Sequence, residues 1–119
     1  MLPTYKNEQR IIVEKNYYRC NHSRPSLNDI VVFKFLKKDF IKRVVGVAGD
    51  RLTIQKSILY INSKTTNVKL SKRQEKLLGL YQVIPKGSIL VLGDNLVDSK
   101  DSRDFGPIPI SSISGRVLN

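Results

Sequence analysis

The fold is decided by the stretch Phe40-Ile41-Lys42-Arg43-Val44-Val45-Gly46-Val47, which is rich in β-branched residues and free of proline. Read as a strand with a period of two, it places Phe40, Lys42, Val44 and Gly46 on one face and the other four residues on the opposite face. Both faces are mainly apolar, which is typical of a strand packed on two sides. The stretch is ended by Ala48-Gly49-Asp50, in which Gly49 suits a tight turn.

Other short apolar runs, separated by turn residues, have the same character. They predict further strands at 10–14, 29–35, 52–54, 58–61 and 88–92. Many short strands at close spacing favour an antiparallel arrangement over alternating strands and helices. The sequence therefore predicts a mainly β protein of compact antiparallel sheets, with at most one short helix.

The helix is predicted over 71–80, because Ser71 and Gln74 have the spacing of a capping box and Leu77 and Leu78 supply an apolar side. Its polarity favours a surface position, so 64–80 is interpreted as a surface insertion between core strands. With 119 residues there is room for one core, and 1–119 is predicted to be a single domain.

The chain is strongly basic, with 21 Lys and Arg against 10 Asp and Glu and a formal net charge of +11. This charge fits nucleic acid, an anionic membrane surface or an anionic cell envelope. The basic residues are spread along the chain without a nucleic-acid-binding signature, so no specific nucleic-acid partner is predicted. No apolar run approaches the roughly 20 residues of a membrane span, and no signal peptide is recognised, so the chain as it stands is expected to be soluble. Cys20 and His22 are too few for a metal site, and neither metal nor cofactor is expected.

Lys42 is the unusual residue of the central strand, since it is a cation among apolar neighbours. One interpretation is that its amine reaches solvent or pairs with a carboxylate. The other is that it is held among apolar groups as a neutral amine and acts as a base. Desolvation lowers the pKa of a lysine, and a lysine base working near neutral pH requires such a shift.

A second candidate cluster is the polar run 93–103, which follows the predicted strand at 88–92. Asp101 and Arg103 are close enough in sequence to brace this loop by an ion pair, and Ser99 or Ser102 could orient a neighbouring amine. Taken alone, the run is best interpreted as a solvated polar turn.

Read together with the N-terminus, these segments resemble the type I signal peptidases (leader peptidases). Met1-Leu2-Pro3-Thr4 is similar to the family's Ser-Met-x-Pro-Thr box without its serine. The segment 42–50 is similar to the lysine box Lys-Arg-x-x-Gly-x-x-Gly-Asp. The segment 93–103 is similar to the box Gly-Asp-Asn-x-x-x-Ser-x-Asp-Ser-Arg, and the compact size is similar to that of Gram-positive members.

The resemblance implies a serine endopeptidase that removes signal peptides from secreted preproteins with a Ser–Lys dyad. Lys42 would be the general base and Ser99 would orient its amine. The residues implied to support the site are Arg43, Gly93, Asp94, Asn95, Asp101, Ser102 and Arg103. Those implied to bind substrate are Met1, Pro3, Tyr5, Asp39, Phe40 and Ile41.

The departures from the family pattern carry their own expectations. The nucleophilic serine belongs immediately ahead of Met1 and the membrane anchor belongs further upstream, so the chain as it stands is expected to be inactive. In the parent protein the domain is expected at the cell membrane, on the extracytoplasmic side, with signal peptides as partners. The alternative is a catalytically inactive assembly factor that binds secreted or pilus precursors. The oligomeric state stays open.

Overall fold

The structure is a computed structural model that describes residues 12–20, 23–94 and 100–118. Within these ranges the chain forms a six-stranded sheet, in the order β1-β9-β2-β3-β7-β8, and a three-stranded sheet, in the order β4-β5-β6. The strands are β1 (Val13–Lys15), β2 (Ile30–Phe35), β3 (Lys38–Val47), β4 (Leu52–Gln55), β5 (Ile58–Ile61), β6 (Lys64–Lys69), β7 (Ser88–Leu92), β8 (Ile108–Pro109) and β9 (Ile113–Val117).

Every described strand pair is antiparallel, so the predicted fold class is confirmed. The segment quoted first is the long strand β3 at the centre of the larger sheet. It pairs with β2 through its first half, from Lys38 to Arg43, and with β7 through its second half, from Arg43 to Val47. The predicted strand at 10–14 lies partly outside the described residues, and β1 begins at Val13.

The predicted helix is present as α2 (Lys72–Leu78), and both hydrogen bonds of its Ser71–Gln74 capping box are formed. The expectation of at most one short helix was wrong, because the chain also forms α1 (Tyr17–Cys20), α3 (Ser102–Phe105) and a 3₁₀ turn at Ile110–Ser112. Helices of a single turn are too short to produce the apolar periodicity by which a helix is recognised in sequence.

The segment 64–80, interpreted from the sequence as a surface insertion, has a few residues anchored in the apolar interior. This segment forms β6 and α2, and its residues Val68, Leu70 and Leu78 are buried in an apolar cluster with Leu59. The lysines of the segment are exposed and make it look polar in the sequence. The few apolar residues among them are nevertheless enough to anchor it.

The apolar interior consists of two clusters that meet at β7. Leu90 and Leu92 belong to a cluster that covers the three-stranded sheet, whereas Ile89 and Val91 belong to a cluster beneath the larger sheet. This division follows from the alternation of side chains along a strand. At Gly46 on the neighbouring strand, a Cβ would lie 2.5 Å from Ile84 Cδ1, so the absence of a side chain there lets Ile84 pack.

Three hairpins are closed by two-residue turns in which both residues have positive φ, the backbone of a type I′ turn. Among the described residues, these turns are Leu36-Lys37 between β2 and β3, Lys56-Ser57 between β4 and β5, and Asn62-Ser63 between β5 and β6. The predicted turn at Gly49 is also confirmed, with φ +92°.

Candidate active site

Lys42 lies in the middle of β3 and is 8% exposed. Its neighbour across the β2–β3 pair is the fully buried Val31, and its neighbours two residues away on the same face are Phe40 and Val44. The structure thus places the Lys42 side chain on an apolar face, as the interpretation of Lys42 as a neutral base requires.

A group of aromatic rings lies on the same face of β2 and β3 as Lys42. Phe33 stacks on Phe40 with 5.6 Å between ring centroids, and Phe35 stacks on Phe105 at 4.2 Å. Phe105 also meets Phe40 edge to face at 5.1 Å. Phe105 was not among the predicted site residues, although its place two residues after the Asp101–Arg103 motif is a signal that α3 brings it to the site.

Asp101 is the hub of the polar cluster beside this face. Its carboxylate accepts hydrogen bonds from the Arg103 backbone amide at 2.9 Å, Arg103 Nε at 2.9 Å, Arg103 Nη2 at 3.1 Å and the Gly93 amide at 3.1 Å. Asp101 is fully buried and Arg103 is 7% exposed. The predicted ion pair is therefore present, and it is a buried, bidentate pair that also caps the N-terminus of α3.

Ser102 fastens this loop to the sheet, because its buried hydroxyl oxygen accepts the Val91 amide of β7 at 2.9 Å. Together with the Gly93–Asp101 bond, it fixes residues 101–103 against the end of β7. Two candidate support residues thus hold the loop in place through the backbone of the neighbouring strand.

The environment lowers the pKa of Lys42 below its ordinary value of 10.5. Burial is the main cause, since removal from water disfavours the charged amine. The negative charge of Asp101 opposes this shift in the pKa, and the positive charge of Arg103 reinforces it. The carboxylates of Asp104 and Asp94 also oppose the shift, but burial is the largest cause and determines the direction of the pKa change.

Arg43 and Asp94 form a second connection between β3 and the loop after β7. Arg43 Nε and Nη2 each donate to one oxygen of Asp94 at 3.1 Å, and Arg43 Nη1 donates to the Asn28 carbonyl at 3.2 Å. Arg43 lies on the face of β3 opposite Lys42. Sequence reasoning selected both residues but did not pair them, because their partnership spans 51 positions.

The predicted substrate-binding residues Asp39, Phe40 and Ile41 lie together on the first half of β3. On the side away from β2 no described strand pairs with Lys38–Ile41, since the pairing with β7 starts at Arg43. Asp39 is exposed and forms a loose ion pair with Lys34 at 3.9 Å. The other predicted site residues, which are Met1, Pro3, Tyr5, Asn95 and Ser99, lie outside the described residues.

In the described ranges, no group of three or more His, Cys, Asp or Glu side chains could hold a metal ion. Nor does any helix in the described part of the chain have the length and apolar character needed to cross a membrane.

Known proteins resemble this chain over nearly its whole length. A family profile described as signal peptidase, peptidase S26, matches residues 1–118. Signal peptidase I of Bacillus caldolyticus is 39% identical over 132 residues, covering 98% of this chain and 71% of that protein. Signal peptidase IB of Staphylococcus aureus is 37% identical over 136 residues, covering 98% of this chain and 70% of that protein.

A solved structure agrees with the sequence relationship. The crystal structure of a signal peptidase I from Enterococcus faecalis superimposes with a TM-score of 0.62 and 28% sequence identity. The match covers 82% of this chain and 98% of the other. The ordered motifs, the antiparallel fold and these matches lead to one conclusion: the chain belongs to the signal peptidase family, peptidase S26.

Proposed function

We propose that this chain is the catalytic domain of a serine endopeptidase that removes signal peptides from secreted preproteins, with Lys42 as the general base. The observation that carries the proposal is a lysine 8% exposed on an apolar strand face, beside a buried Asp101–Arg103 pair, with its pKa lowered by burial. Membership of the family supports the reaction class, and the buried environment of Lys42 supports its role as a neutral amine base.

In this mechanism the neutral Lys42 amine takes the proton of a serine hydroxyl as the serine oxygen attacks the scissile carbonyl. The resulting ammonium gives that proton to the leaving amine as the peptide bond breaks and an ester forms. The same amine then takes a proton from water as the water oxygen attacks the ester. The ester bond to the serine oxygen breaks, the lysine ammonium returns the proton to that oxygen, and the signal peptide leaves as a carboxylic acid. The serine belongs immediately ahead of Met1, in the box that Met1–Thr4 resembles.

The remaining polar residues divide into orienting and bracing roles. We assign Ser99 the role of orienting the Lys42 amine through its hydroxyl. Asp101, Arg103 and Ser102 hold the loop rigid beside β3, which is supported by their buried hydrogen bonds to each other and to β7. Gly93 leaves room beside the lysine. Asn95, the next residue in the sequence after Asp94, is proposed to support the same site, and the Arg43–Asp94 pair connects β3 to the chain that follows β7.

The substrate is proposed to add to β3 as an extended strand along Asp39–Ile41. Main-chain hydrogen bonds at a strand edge hold an extended peptide irrespective of its sequence, and pockets for alternate side chains provide the selectivity. Phe40 lies on the same face of β3 as Lys42, and Ile41 lies on the opposite face. Phe40 and Ile41 would therefore contact alternate side chains of the substrate. Met1, Pro3 and Tyr5 are proposed to complete the pockets for small residues ahead of the cut.

The test compares the 119-residue chain with a form that carries serine immediately ahead of Met1, assayed on a peptide with alanines ahead of the scissile bond. We expect cleavage by the serine form and none by the chain that starts at Met1. Lys42→Met should abolish cleavage by the serine form, because methionine keeps the length of the side chain and cannot accept a proton. Lys56→Met, at an exposed turn of the smaller sheet, is the matched control and should cleave normally.

The pH profile separates a lysine base from a merely structural lysine. Because the neutral amine is the active form, the rate should rise with pH and reach a plateau below the ordinary lysine pKa of 10.5. A flat profile from pH 5 to 9 would remove Lys42 from the mechanism. If the serine form bound signal peptides without cleaving them, the assembly-factor alternative would replace the enzyme.

A further inference from the structure

The β2–β3 hairpin ends in an apolar residue held out in solvent. Leu36 is 81% exposed, more than any other large apolar residue in the described part of the chain. Among the described residues, the other two type I′ turns begin with Lys56 and Asn62, which are polar. Asn is favoured at this position and leucine is not, so turn formation does not explain Leu36.

Lysines surround this leucine. Lys34, Lys37 and Lys38 all lie within two positions of it and are exposed, and Asp39 is the acidic residue nearest in sequence. Leu80 is nearly as exposed, at 77%, but has no basic residue within three positions in the sequence. An exposed apolar residue coincides with a cluster of positive charge at the β2–β3 turn and not at Leu80.

The hairpin is also stiff up to its tip. Phe35, the residue before the turn, stacks on Phe105 of α3 at 4.2 Å, and all six β2–β3 residue pairs are in register up to Phe35 and Lys38. A contact made by Leu36 would therefore fix the orientation of β3, and with it Lys42, relative to whatever the tip touches.

From these observations we propose that the Leu36-Lys37 turn is a membrane contact: Leu36 enters the boundary between headgroups and acyl chains of an anionic bilayer, and Lys34, Lys37 and Lys38 contact lipid phosphates. An apolar insertion and a basic cluster are each weak alone and reinforce each other at an anionic surface. The net charge of +11 attracts the whole chain to the same surface. This inference does not depend on the catalytic assignment.

Nucleic acid fits the tip less well than lipid does. Proteins that bind single strands pair basic residues with aromatic rings on which bases stack. The exposed large apolar residues of the described chain are all aliphatic: Ile12, Leu27, Leu36, Leu80, Val83 and Leu118. A protruding aliphatic side chain between lysines suits acyl chains and offers nothing to a base.

The test uses the full chain, which contains no tryptophan, so a single introduced tryptophan reports its own surroundings. Leu36→Trp should show a blue shift of its emission with vesicles that contain phosphatidylglycerol and none with pure phosphatidylcholine. Lys56→Trp, in the matching turn of the other sheet, is the control and should not shift. An unshifted Leu36→Trp, or equal shifts at both positions, would overturn the proposal.

A second variant separates lipid contact from turn stability. Leu36→Asn places a favoured residue at the turn, so its melting temperature should equal or exceed that of the natural chain. Its partition onto phosphatidylglycerol vesicles should nevertheless fall about tenfold, since the apolar contribution is lost. Unchanged partition would refute the contact. Binding of single-stranded DNA that outcompetes the vesicles would show that the lysines serve nucleic acid instead.

Discussion

Two clusters, each containing an ion pair between an arginine and a carboxylate, lie beside different strands of the six-stranded sheet. The Asp101 cluster (Asp101, Ser102 and Arg103) is buried beside β3 and β7. The Arg116 cluster (Glu14, Tyr17 and Arg116) lies at the β1–β9 edge, where Arg116 donates to Glu14 at 3.2 Å and its guanidinium lies 3.6 Å above the Tyr17 ring.

The two clusters differ in solvent exposure and in what depends on them. The ionic pair of the Asp101 cluster is almost wholly buried and is joined by backbone amides, whereas the side chains of Arg116 and Glu14 are 28% and 41% exposed. Breaking a buried ion pair leaves one charge buried away from water. When a partly exposed pair is broken, water hydrates the remaining charge. The buried cluster is the one beside the proposed base, and the partly exposed cluster lies at a sheet edge.

The largest effect is expected from Asp101→Asn. The amide keeps the shape but loses the negative charge that the buried Arg103 guanidinium pairs with, and it offers one acceptor oxygen in place of two. We expect a loss of about 3–5 kcal/mol in the free energy of unfolding, measured by urea denaturation. Glu14→Gln is the matched control in the Arg116 cluster and should lose at most about 1 kcal/mol. Equal losses would erase the distinction between the clusters.

Tyr18→Phe probes a bond next to the Arg116 cluster. The buried Tyr18 hydroxyl donates to Asp29 at 2.7 Å, and burial together with this bond raises the pKa of the phenol. Removing the hydroxyl should cost about 1.5 kcal/mol, which is less than Asp101→Asn because Asp29 still accepts the Ser26 amide. Denaturation of the two variants side by side provides the measurement, and a loss larger than that of Asp101→Asn would reverse the ranking.

Lys42→Met should act on stability in a pH-dependent way. Because the folded protein holds the lysine pKa below 10.5, the unfolded chain binds more protons between the two pKa values, and the stability of the natural chain rises with pH across that window. Lys42→Met lacks this contribution, so its stability relative to the natural chain should be highest at the acid end and decline towards pH 10. Each unit of pKa displacement corresponds to about 1.4 kcal/mol. A difference independent of pH would indicate that the lysine is not desolvated.

The smallest effect is expected from Arg73→Gln, at an ion pair outside both clusters. The Arg73 side chain is 80% exposed and Asp104 also accepts a hydrogen bond from Gln74 at 3.1 Å. We expect a change below about 0.5 kcal/mol in the free energy of unfolding. A larger loss would show that exposure alone does not rank the ion pairs of this protein.

The sequence predicted the elements whose signals are local. The strands β2, β3 and β7 were found because each is a nearly continuous run of apolar and β-branched residues, and α2 was found from its capping box. The Asp101–Arg103 pair was also found, since its partners are two residues apart.

What the sequence did not reveal depends on distant contacts. The strand β9 contains Gly115 and Arg116 and becomes recognisable once β1 and β2 pair with it from both sides. The pairing of Arg43 with Asp94 and the ring contacts of Phe105, stacked on Phe35 and edge to face with Phe40, likewise join residues far apart in the chain. Such partners follow from topology, which local patterns do not encode.

The two-sided packing of β7 has a consequence for how the molecule unfolds. Leu90 and Leu92 on one side and Ile89 and Val91 on the other join both apolar clusters to a single strand, so neither cluster can open without disturbing that strand. Amide protons of β5 in the small sheet and of β3 beside Lys42 should therefore exchange with solvent in one cooperative unit. A destabilising substitution in the three-stranded sheet should therefore also destabilise β3 around Lys42, because β7 packs against both apolar clusters. Substitutions in either sheet would then affect the environment of the lysine.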